Sequence, residues 1–262
     1  MFYDMPSIYK NSLNSFQFLT STGQMVEGKS ENSQPSETAK NIKDFGMIEV
    51  INSRDPANHV QTINIIGQIE GHGVSSPQTK STKYEHVIPE LIAMEQNPNV
   101  KGVLITLNTL GGDVEAGLAI AEMINSLSMP TVSLVLGGSH SIGVPLATAS
   151  DYAFITPSAT MILHPIRMNG LIIGVPQTFD YFKKMQERIT DFIVRTSSVK
   201  KDVLEGLLQE TGDLLNDMGT ILIGQEAVDY GLIEEVGGIT DALRKLNSMI
   251  EEKEKTSEKE NK

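Results

Sequence analysis

The sequence predicts an α/β fold in which helices pack against a parallel β-sheet. Stretches rich in β-branched and aliphatic residues, at 59–69, 100–107 and 131–136, have the composition of buried strands. Amphipathic stretches with apolar residues at helical spacing separate them. Strands that alternate with helices in this way pair in parallel, and the loops at their carboxyl ends carry the chemistry of such folds.

The elements can be justified in chain order. The first strand, 59–69, is followed by an amphipathic helix at 84–96, which ends near the helix-breaking pair Asn97-Pro98. Asp113 is a good N-cap for the helix at 113–127, because its short oxygen side chain accepts a free backbone N–H. The remaining predicted elements are strands at 152–155 and 160–163, joined by a turn at Pro157-Ser158, a long helix at 177–196, and shorter helices at 200–209, 225–230 and 239–250.

The two ends of the chain differ in composition from its middle. Residues 1–46 are polar with a few spaced aromatic side chains, and 25–44 have almost no apolar content, which is typical of disorder. Residues 251–262 form a charged tail of mixed sign, which we interpret as the frayed end of the last helix. We therefore predict a folded domain over 47–250, preceded by a disordered or partner-binding arm and followed by a solvated tail.

Composition excludes several classes of function. The chain of 262 residues has a formal net charge of −12, whereas binding to nucleic acid or to an anionic membrane needs clustered Lys and Arg. It has no cysteine, which excludes a disulfide scaffold, a thiolate metal site and a cysteine nucleophile. Glycines and a proline interrupt the longest apolar-leaning stretch, 131–149, and the N-terminus lacks the apolar core of a secretory signal. We expect a cytoplasmic protein without a membrane span.

The segment GGSHSIG at 137–143 follows the strand that is predicted to end at Leu136. A strand-to-helix turn of this kind exposes a serine at a helix N-terminus, where free N–H groups and the helix dipole stabilise negative charge. Acyl transfer requires a nucleophile beside preorganised donors of this type. A plain glycine-rich turn in which Ser139 or Ser141 caps the helix fits the same residues, so both interpretations stay open.

Two further segments have the residue types that such a site needs. The glycines of NTLGGD at 108–113 leave backbone N–H groups open to an oxyanion, a phosphate or a peptide backbone, although a plain turn fits them equally well. The segment lacks the Lys and Ser/Thr of a Walker motif. Of the five histidines, His164 in LHP lies at a predicted strand end, where the scaffold can aim a general base. No two histidines have the spacing of a helical zinc pair, so we expect no metal and no cofactor.

Four segments occur in the order NTLGGDVEAGLAIAEMI, GGSHSIGVPLATA, ATMILHPI and GQEAVDYGLIEEV. They resemble the motifs of the proteolytic subunit of the Clp protease, peptidase family S14. The segments GGSHSIGVP and HPIRMNGLIIGVPQTF are most similar to the translocation-enhancing, ClpP-like branch of that family. The resemblance implies the ClpP/crotonase-like fold, a spiral of repeated β-β-α units with a protruding handle helix, here at 177–196.

The resemblance also implies roles for individual residues and for the whole chain. Ser141 takes the position of the nucleophile, His164 that of the general base, and Gly112 and Ile142 those whose backbone N–H groups form the oxyanion hole. The implied activity is that of an ATP-independent serine-type endopeptidase that acts through an acyl-enzyme. The implied partners are copies of itself in a ring, a second stacked ring, a peptide or protein substrate and an AAA+ unfoldase, with a link to protein export.

The third catalytic position departs from the family pattern. It falls on Gly219, which has no side chain that could orient a histidine. Asp217 is the nearest carboxylate and is our candidate for this role, with Asp213 and Asn216 as alternatives. The loss of a triad aspartate costs about 10⁴ in rate, so a chain without this group would be a poor peptidase.

Two other functions stay open. Because Gly219 leaves the third position without a carboxylate, the chain also fits a catalytically weak, ClpP-like scaffold or adaptor that keeps the ring. A crotonase-like acyl-CoA enzyme would combine an oxyanion hole with carboxylates as acid and base, and Glu115 is the nearby candidate. The serine and histidine at the family positions favour the peptidase.

Overall fold

The computed structural model describes residues 59–73, 75–76, 78–167, 174–212 and 218–260, and three short strands nearer the N-terminus. The chain divides into two compact units, Met1–Lys43 and Asp44–Lys262. In the first unit, β1 (Gln17–Leu19) and β2 (Met25–Glu27) pair antiparallel. Most of the predicted arm, and the last two residues of the predicted tail, lie outside the described residues.

The second unit alternates strands and helices, and the predicted α/β class is confirmed. Its described strands are β3 (Ile48–Ile51), β4 (His59–Glu70), β5 (Ser81–Lys83), β6 (Val100–Gly112), β7 (Thr131–His140), β8 (Tyr152–Ile155), β9 (Thr160–Leu163), β10 (Thr220–Ile223) and β11 (Glu235–Val236). Its described helices are α1 (Tyr84–Gln96), α2 (Val114–Asn125), α3 (Gly143–Thr148), α4 (Val175–Thr196), α5 (Lys201–Gln209), α6 (Gln225–Asp229) and α7 (Ile239–Glu260). Within the described part of the chain, no helix combines the length and the apolar character that crossing a bilayer requires.

The strands of the second unit form one sheet, whose main path has the order β10-β9-β7-β6-β4-β3. The inner pairs β4–β6, β6–β7 and β7–β9 are parallel, as alternating strands and helices require. The outer pairs β3–β4 and β10–β9 are antiparallel. Three additional strands pair in parallel outside this path, β5 with β4, β8 with β7 and β11 with β8.

Strand β7 changes its neighbour halfway along its length. Residues 132–135 pair with β8, whereas residues 138–140 pair with β9. On its other side β7 stays beside β6, where Thr109 lies opposite Ser139 after a shift in register. The sheet therefore forks beside Leu136 and Gly137, and the end of β7 lies between β6 and β9. We call this place the fork.

Hydrophobic clusters cover both faces of the sheet. Successive residues of β7, Leu134 and Val135, belong to different clusters, as expected for side chains that alternate along a strand. Helix α7 covers one face, with Leu246 and Ile250 fully buried. Gly102 permits this close packing, because a Cβ at this position would lie 2.8 Å from Ile250 Cδ1. The remaining core lies on the other face, where the site is also built.

The structure extends two strands and one helix beyond their predicted ends. β6 continues past Leu107 to Gly112, and β7 continues past Leu136 to His140, so NTLGG and GGSH are strand ends and not loops. These glycine-rich ends carry no hydrophobic signal, but their backbones pair with β4 and β9. Helix α7 likewise continues past residue 250 into the predicted tail, where pairs such as Lys255–Glu251, 3.6 Å apart, stabilise a solvated helix.

Candidate active site

Ser141 lies at the turn between β7 and α3 and has an unusual backbone conformation. Its φ of 57° is the only positive φ of a non-glycine residue in the described part of the chain. An L-residue adopts this conformation at a cost of about 1–2 kcal/mol. The N–H of Ser141 donates to the Ile162 carbonyl at 2.8 Å, and its carbonyl accepts from the Val144 N–H at 3.0 Å. These two bonds hold the strained turn in place.

The neighbouring Ser139 has a structural role. It is fully buried, and its hydroxyl donates to the Gly143 carbonyl at 2.6 Å. Helix α3 begins at Gly143 after Ile142, and no side chain caps it. The interpretation of Ser139 or Ser141 as the cap of this helix is therefore wrong.

Two glycines let the end of β6 approach the turn that holds Ser141. Gly111 has a φ of 85°, and a Cβ at this position would lie 2.6 Å from the His140 carbonyl oxygen and 2.9 Å from Ser141 Cβ. Gly112 has a φ of 154°, and a Cβ there would collide with the backbone of Ile69. Because only glycine fits at both positions, the backbone of Gly112 reaches the cavity that Ser141 also lines.

His164 directly follows β9, and the pairing of β9 with β7 brings it towards Ser141. His140, the last residue of β7, lies opposite Ile162 of β9. The His164 ring is partly buried, and its Nδ1 lies 2.7 Å from the Pro165 carbonyl oxygen. Because a carbonyl oxygen only accepts, Nδ1 carries the proton in this bond. Nε2 then holds the free lone pair that a general base needs.

One cavity of about 190 Å³ brings the predicted site residues together. Ser141, His164, Gly112 and Ile142 all line it. The rest of its wall is mostly apolar and consists of Val114, Val144, Leu163, Ile166, Ile189, Ile193 and Leu208, with Arg167 and Gln186 as further polar residues. The cavity therefore brings together Ser141, His164, Gly112 and Ile142 and has room for an apolar side chain.

The structure also describes Gly219, the residue at the position predicted for a third catalytic group. The three residues that the sequence offers for orienting the histidine lie outside the described residues; they are Asp217, Asp213 and Asn216. Gly219, which the pattern aligns with a carboxylate, has a φ of 130°. A Cβ at this position would collide with the Leu163 carbonyl oxygen and lie 2.9 Å from His164 Cβ. The backbone of Gly219 therefore fills the space beside His164, and no side chain fits at this position.

His140 is adjacent to Ser141 but forms its hydrogen bond with another strand. Its Nε2 lies 2.8 Å from Thr160 Oγ1 on β9. Burial lowers the pKa of His140, and the nearby charge of His164 lowers it further. Both effects favour the neutral form of the His140 ring.

Glu115, the carboxylate that a crotonase-like enzyme would use, is bound to α4. Its two oxygens accept from the Arg188 guanidinium at 2.7 and 3.0 Å. This hydrogen bonding holds the pKa of Glu115 below its ordinary value. A second pair, Arg195 with Glu122 at 2.8 Å, joins the same two helices. Among the described residues that line the cavity, none carries a carboxylate.

Gln186 is a polar residue of the cavity that the sequence analysis does not identify. It lies on α4 in one row with Phe182, Ile189 and Ile193, spaced as one face of a helix. The apolar residues of this helix at helical spacing are Phe179, Phe182, Met185, Ile189, Phe192 and Ile193, and Gln186 lies among them. A polar residue within such a row is the signal that marks it, because a side chain there must find a partner inside the protein.

The fold and the site together define the class of protein. A sequence model described as Clp protease matches residues 59–240, which include both glycine-rich strand ends, Ser141 and His164. The chain belongs to the Clp protease family. The resemblance of the sequence motifs to those of the Clp proteolytic subunit is confirmed.

Particular relatives place the chain within that family. It is 51% identical to the translocation-enhancing protein TepA of Halalkalibacterium halodurans over 225 residues, which cover 86% of this chain and 87% of that protein. It is 26% identical to the ATP-dependent Clp protease proteolytic subunit 1 of Chlamydia pneumoniae over 168 residues, 62% of this chain and 83% of that protein. It is 27% identical to the ATP-dependent Clp protease proteolytic subunit of Streptococcus sanguinis over 157 residues, which cover 57% of this chain and 76% of that protein. The predicted branch is also confirmed.

Proposed function

We propose that this chain is a ClpP-like serine-type endopeptidase that cleaves peptide bonds without using ATP itself. The observation that carries the proposal is the pairing of β7 with β9. It brings Ser141 and His164 into one cavity with Gly112 and Ile142. Membership of the Clp protease family supports the same chemistry.

The reaction proceeds in two stages. Ser141 Oγ attacks the carbonyl carbon of the scissile bond while His164 Nε2 takes the hydroxyl proton. The N–H groups of Gly112 and Ile142 stabilise the oxyanion of the tetrahedral intermediate. His164 then gives the proton to the leaving amine, the C–N bond breaks and the acyl group remains on Ser141. A water molecule, deprotonated by His164, hydrolyses this ester and regenerates the serine.

A catalytically weak scaffold or adaptor is the second candidate function. It is favoured by Gly219, whose backbone occupies the place beside His164 where the family pattern has a carboxylate. In the peptidase, Asp217 is the carboxylate candidate for orienting His164. The two functions differ in a measurable way, because only the peptidase has an activated nucleophile at Ser141.

Assembly into rings is part of the proposal. Helix α4, the handle helix, exposes large apolar side chains near its start, with Val175 67% and Phe179 69% exposed. Apolar surface of this kind is typical of an interface. We propose a ring of identical subunits, a second ring stacked on it through α4, and an AAA+ unfoldase that supplies folded protein substrates. The arm over 1–46 and the tail over 251–262 then flank the peptidase domain.

The cellular role is proposed from a relative. The protein from H. halodurans is named for enhancing translocation. We propose for this chain a role linked to protein export, exercised in the cytoplasm on peptides or proteins. Binding to nucleic acid is not part of the proposed role, because the net charge of −12 opposes it.

Labelling with a fluorophosphonate probe tests the proposed chemistry. The full chain is purified, its oligomeric mass is measured by sedimentation, and labelling is followed in wild type, Ser141→Ala and His164→Ala. We expect wild type to label at Ser141, Ser141→Ala not to label, and His164→Ala to label at least about 100-fold more slowly. Ser158→Ala and His72→Ala, which replace exposed residues of the same types, should label like wild type.

The outcome separates the two functions. Labelling at Ser141 that depends on His164, together with cleavage of a set of fluorogenic peptides, supports the peptidase. If the folded wild-type oligomer neither labels nor cleaves peptides, the peptidase is wrong and the scaffold is favoured.

A further inference from the structure

The peptide group between Pro165 and Ile166 is hydrogen bonded at both ends. Its carbonyl oxygen accepts from His164 Nδ1 at 2.7 Å. Its N–H donates to Oε1 of Gln186 on α4 at 2.9 Å. One peptide plane therefore connects the imidazole of the proposed general base to a glutamine side chain on the handle helix.

This connection has a direct effect on the imidazole. A peptide N–H that donates a hydrogen bond polarises its own carbonyl group, because bonds in a chain strengthen each other. The Pro165 carbonyl is thus a stronger acceptor for the Nδ1 proton of His164. It fixes the tautomer that leaves Nε2 free, and it stabilises the imidazolium that forms when Ser141 loses its proton.

Gln186 is itself held in position. Its Nε2 lies 3.4 Å from the hydroxyl of Thr190, one turn further along α4, and Thr190 is only 4% exposed. The neighbouring Met185 is buried, and Arg188 is paired with Glu115. The amide oxygen therefore accepts from the Ile166 N–H, and the helix that carries it is held by the burial of Met185 and by the Arg188–Glu115 pair.

From these contacts we infer that Gln186 is a positioning residue for His164, acting through the Pro165 carbonyl in the role that a carboxylate has in a Ser-His-Asp triad. The inference rests on the proposed function, because it needs His164 to act as a base. It agrees with the fit of Gly219 against His164 Cβ, which leaves no space for a side chain from that position. It is the alternative to orientation by Asp217, since a single Nδ1 proton needs a single strong acceptor.

Variants at position 186 test the inference in the full-length oligomer. The second-order rate of fluorophosphonate labelling is measured over about pH 5 to 9, the range in which an imidazole changes charge. Gln186→Met keeps the length of the side chain but removes the acceptor, and Gln186→Glu keeps an acceptor. Gln177→Met makes the same change at an exposed position of the same helix and is the matched control. Asp217→Asn tests the alternative, and thermal unfolding verifies that each variant is folded.

We expect Gln186→Met to label about 10- to 100-fold more slowly, which is typical of losing a group that orients a catalytic or ligating histidine. Gln186→Glu should recover most of that rate, and the midpoint of its pH profile should move upward, because a nearby carboxylate favours the imidazolium. The other titratable or charged side chains near the ring, those of His140 and Arg167, are unchanged in every variant, so a shift of the midpoint belongs to position 186. Gln177→Met should label like wild type, and Asp217→Asn should lose less of the labelling rate than Gln186→Met does.

Three results would overturn the inference while leaving the proposed function intact. One is a Gln186→Met variant that labels as fast as wild type. Another is a rate that falls equally in Gln186→Met and Gln186→Glu without a change in the pH midpoint, which indicates damage to packing. The third is a large loss in Asp217→Asn alone, which assigns the role to that carboxylate. A wild type that does not label at Ser141 overturns the proposed function and the inference together.

Discussion

The two halves of the site are built in different ways. The serine half consists of Ser141, Gly111, Gly112 and Ile142, and its geometry comes from sheet backbone at the fork. The histidine half consists of His164, Pro165 and Gln186, which are all partly buried and are joined through one peptide group to a helix. In the serine half, by contrast, Ile142 is fully buried, with only 1% of its surface exposed.

The difference shows which parts of a catalytic site a sheet can supply. Backbone N–H groups at the ends of paired strands and in the turns that follow them are already ordered, so they stabilise charge without the loss of side-chain entropy. The orientation of an imidazole needs an acceptor at one particular atom, and a side chain or a single carbonyl must provide it. The serine half should therefore respond to changes of backbone, and the histidine half to changes of individual polar groups.

Gly111→Ala should have the largest effect, because it disturbs the backbone conformation of the serine half. Its φ of 85° disfavours alanine, and the added Cβ would lie 2.6 Å from the His140 carbonyl oxygen. We expect the free energy of unfolding to fall by about 1–3 kcal/mol. Displacement of the reacting groups should slow labelling at Ser141 by about 100-fold. Urea denaturation and fluorophosphonate kinetics measure the two effects.

Gly206→Ala is the matched control for this variant. Gly206 lies in α5, and no atom lies within 4 Å of a Cβ added there. Alanine should raise the free energy of unfolding by about 0.5–1 kcal/mol, because it favours the helix. Labelling should not change. Similar labelling rates in both variants would show that the close approach of β6 does not affect the reactivity of Ser141. The proposed difference between the serine half and the histidine half would then be wrong.

Ile142→Val should have a smaller effect and separates side-chain packing from backbone geometry. The variant removes one buried methylene and should cost about 0.5–1.5 kcal/mol of unfolding free energy. Its backbone N–H remains, so labelling should stay within about threefold of wild type. Ile155→Val, the same change at a fully buried residue of β8, is the control for stability alone. A much slower labelling rate in Ile142→Val only would mean that the oxyanion donor depends on side-chain packing.

Glu115→Gln should have the smallest effect and addresses the link between the two halves. The bond of Glu115 to Arg188 joins α2, beside the serine half, to α4, which carries Gln186. Both side chains are about half exposed, so solvent screens the pair. We expect a loss of roughly 0.2–1 kcal/mol in the free energy of unfolding at neutral pH.

The pH dependence of this loss has a definite sign. Because folding lowers the pKa of Glu115, its stabilising contribution is complete above the ordinary carboxyl pKa of about 4.3 and disappears as the pH falls through the lower folded value. The difference in unfolding free energy between wild type and Glu115→Gln, measured by urea titration, should therefore be smaller at about pH 3 than at about pH 7. Glu258→Gln, an exposed change near the end of α7, is the control. A difference that persists in acid would show that the effect does not come from the charge.

The sequence predicts the helices and the inner strands well, because apolar side chains repeat with the period of each element. Helix α1 has the predicted ends, and α2 begins directly after its predicted cap, Asp113, whose side chain accepts from the Ala116 N–H at 2.8 Å. Strands β8 and β9 also have the predicted ends. In these elements local propensity and burial favour the same structure.

The sequence is less informative where backbone pairing or tertiary contacts decide the structure. The ends of β6 and β7 consist of glycine and polar residues, whose pairing leaves no pattern in the side chains. The short strand β10, TILI at 220–223, is absent from the prediction although its residues are typical of a strand, and its pairing with β9 defines it. The role inferred for Gln186 depends on a contact with Ile166, twenty residues earlier in the chain, and no local pattern encodes such a contact.

The left-handed backbone of Ser141 also determines when its turn can form during synthesis of the chain. An isolated serine spends little time in that conformation, and here it is held partly by the bond from its N–H to the Ile162 carbonyl. During synthesis residue 162 follows residue 141, so the turn cannot be completed until β9 has been made and has docked on β7. A nascent chain that is still on the ribosome before that point therefore has the serine but not its aligned geometry. Under the proposed function, the reactivity of Ser141 therefore depends on the completed fold.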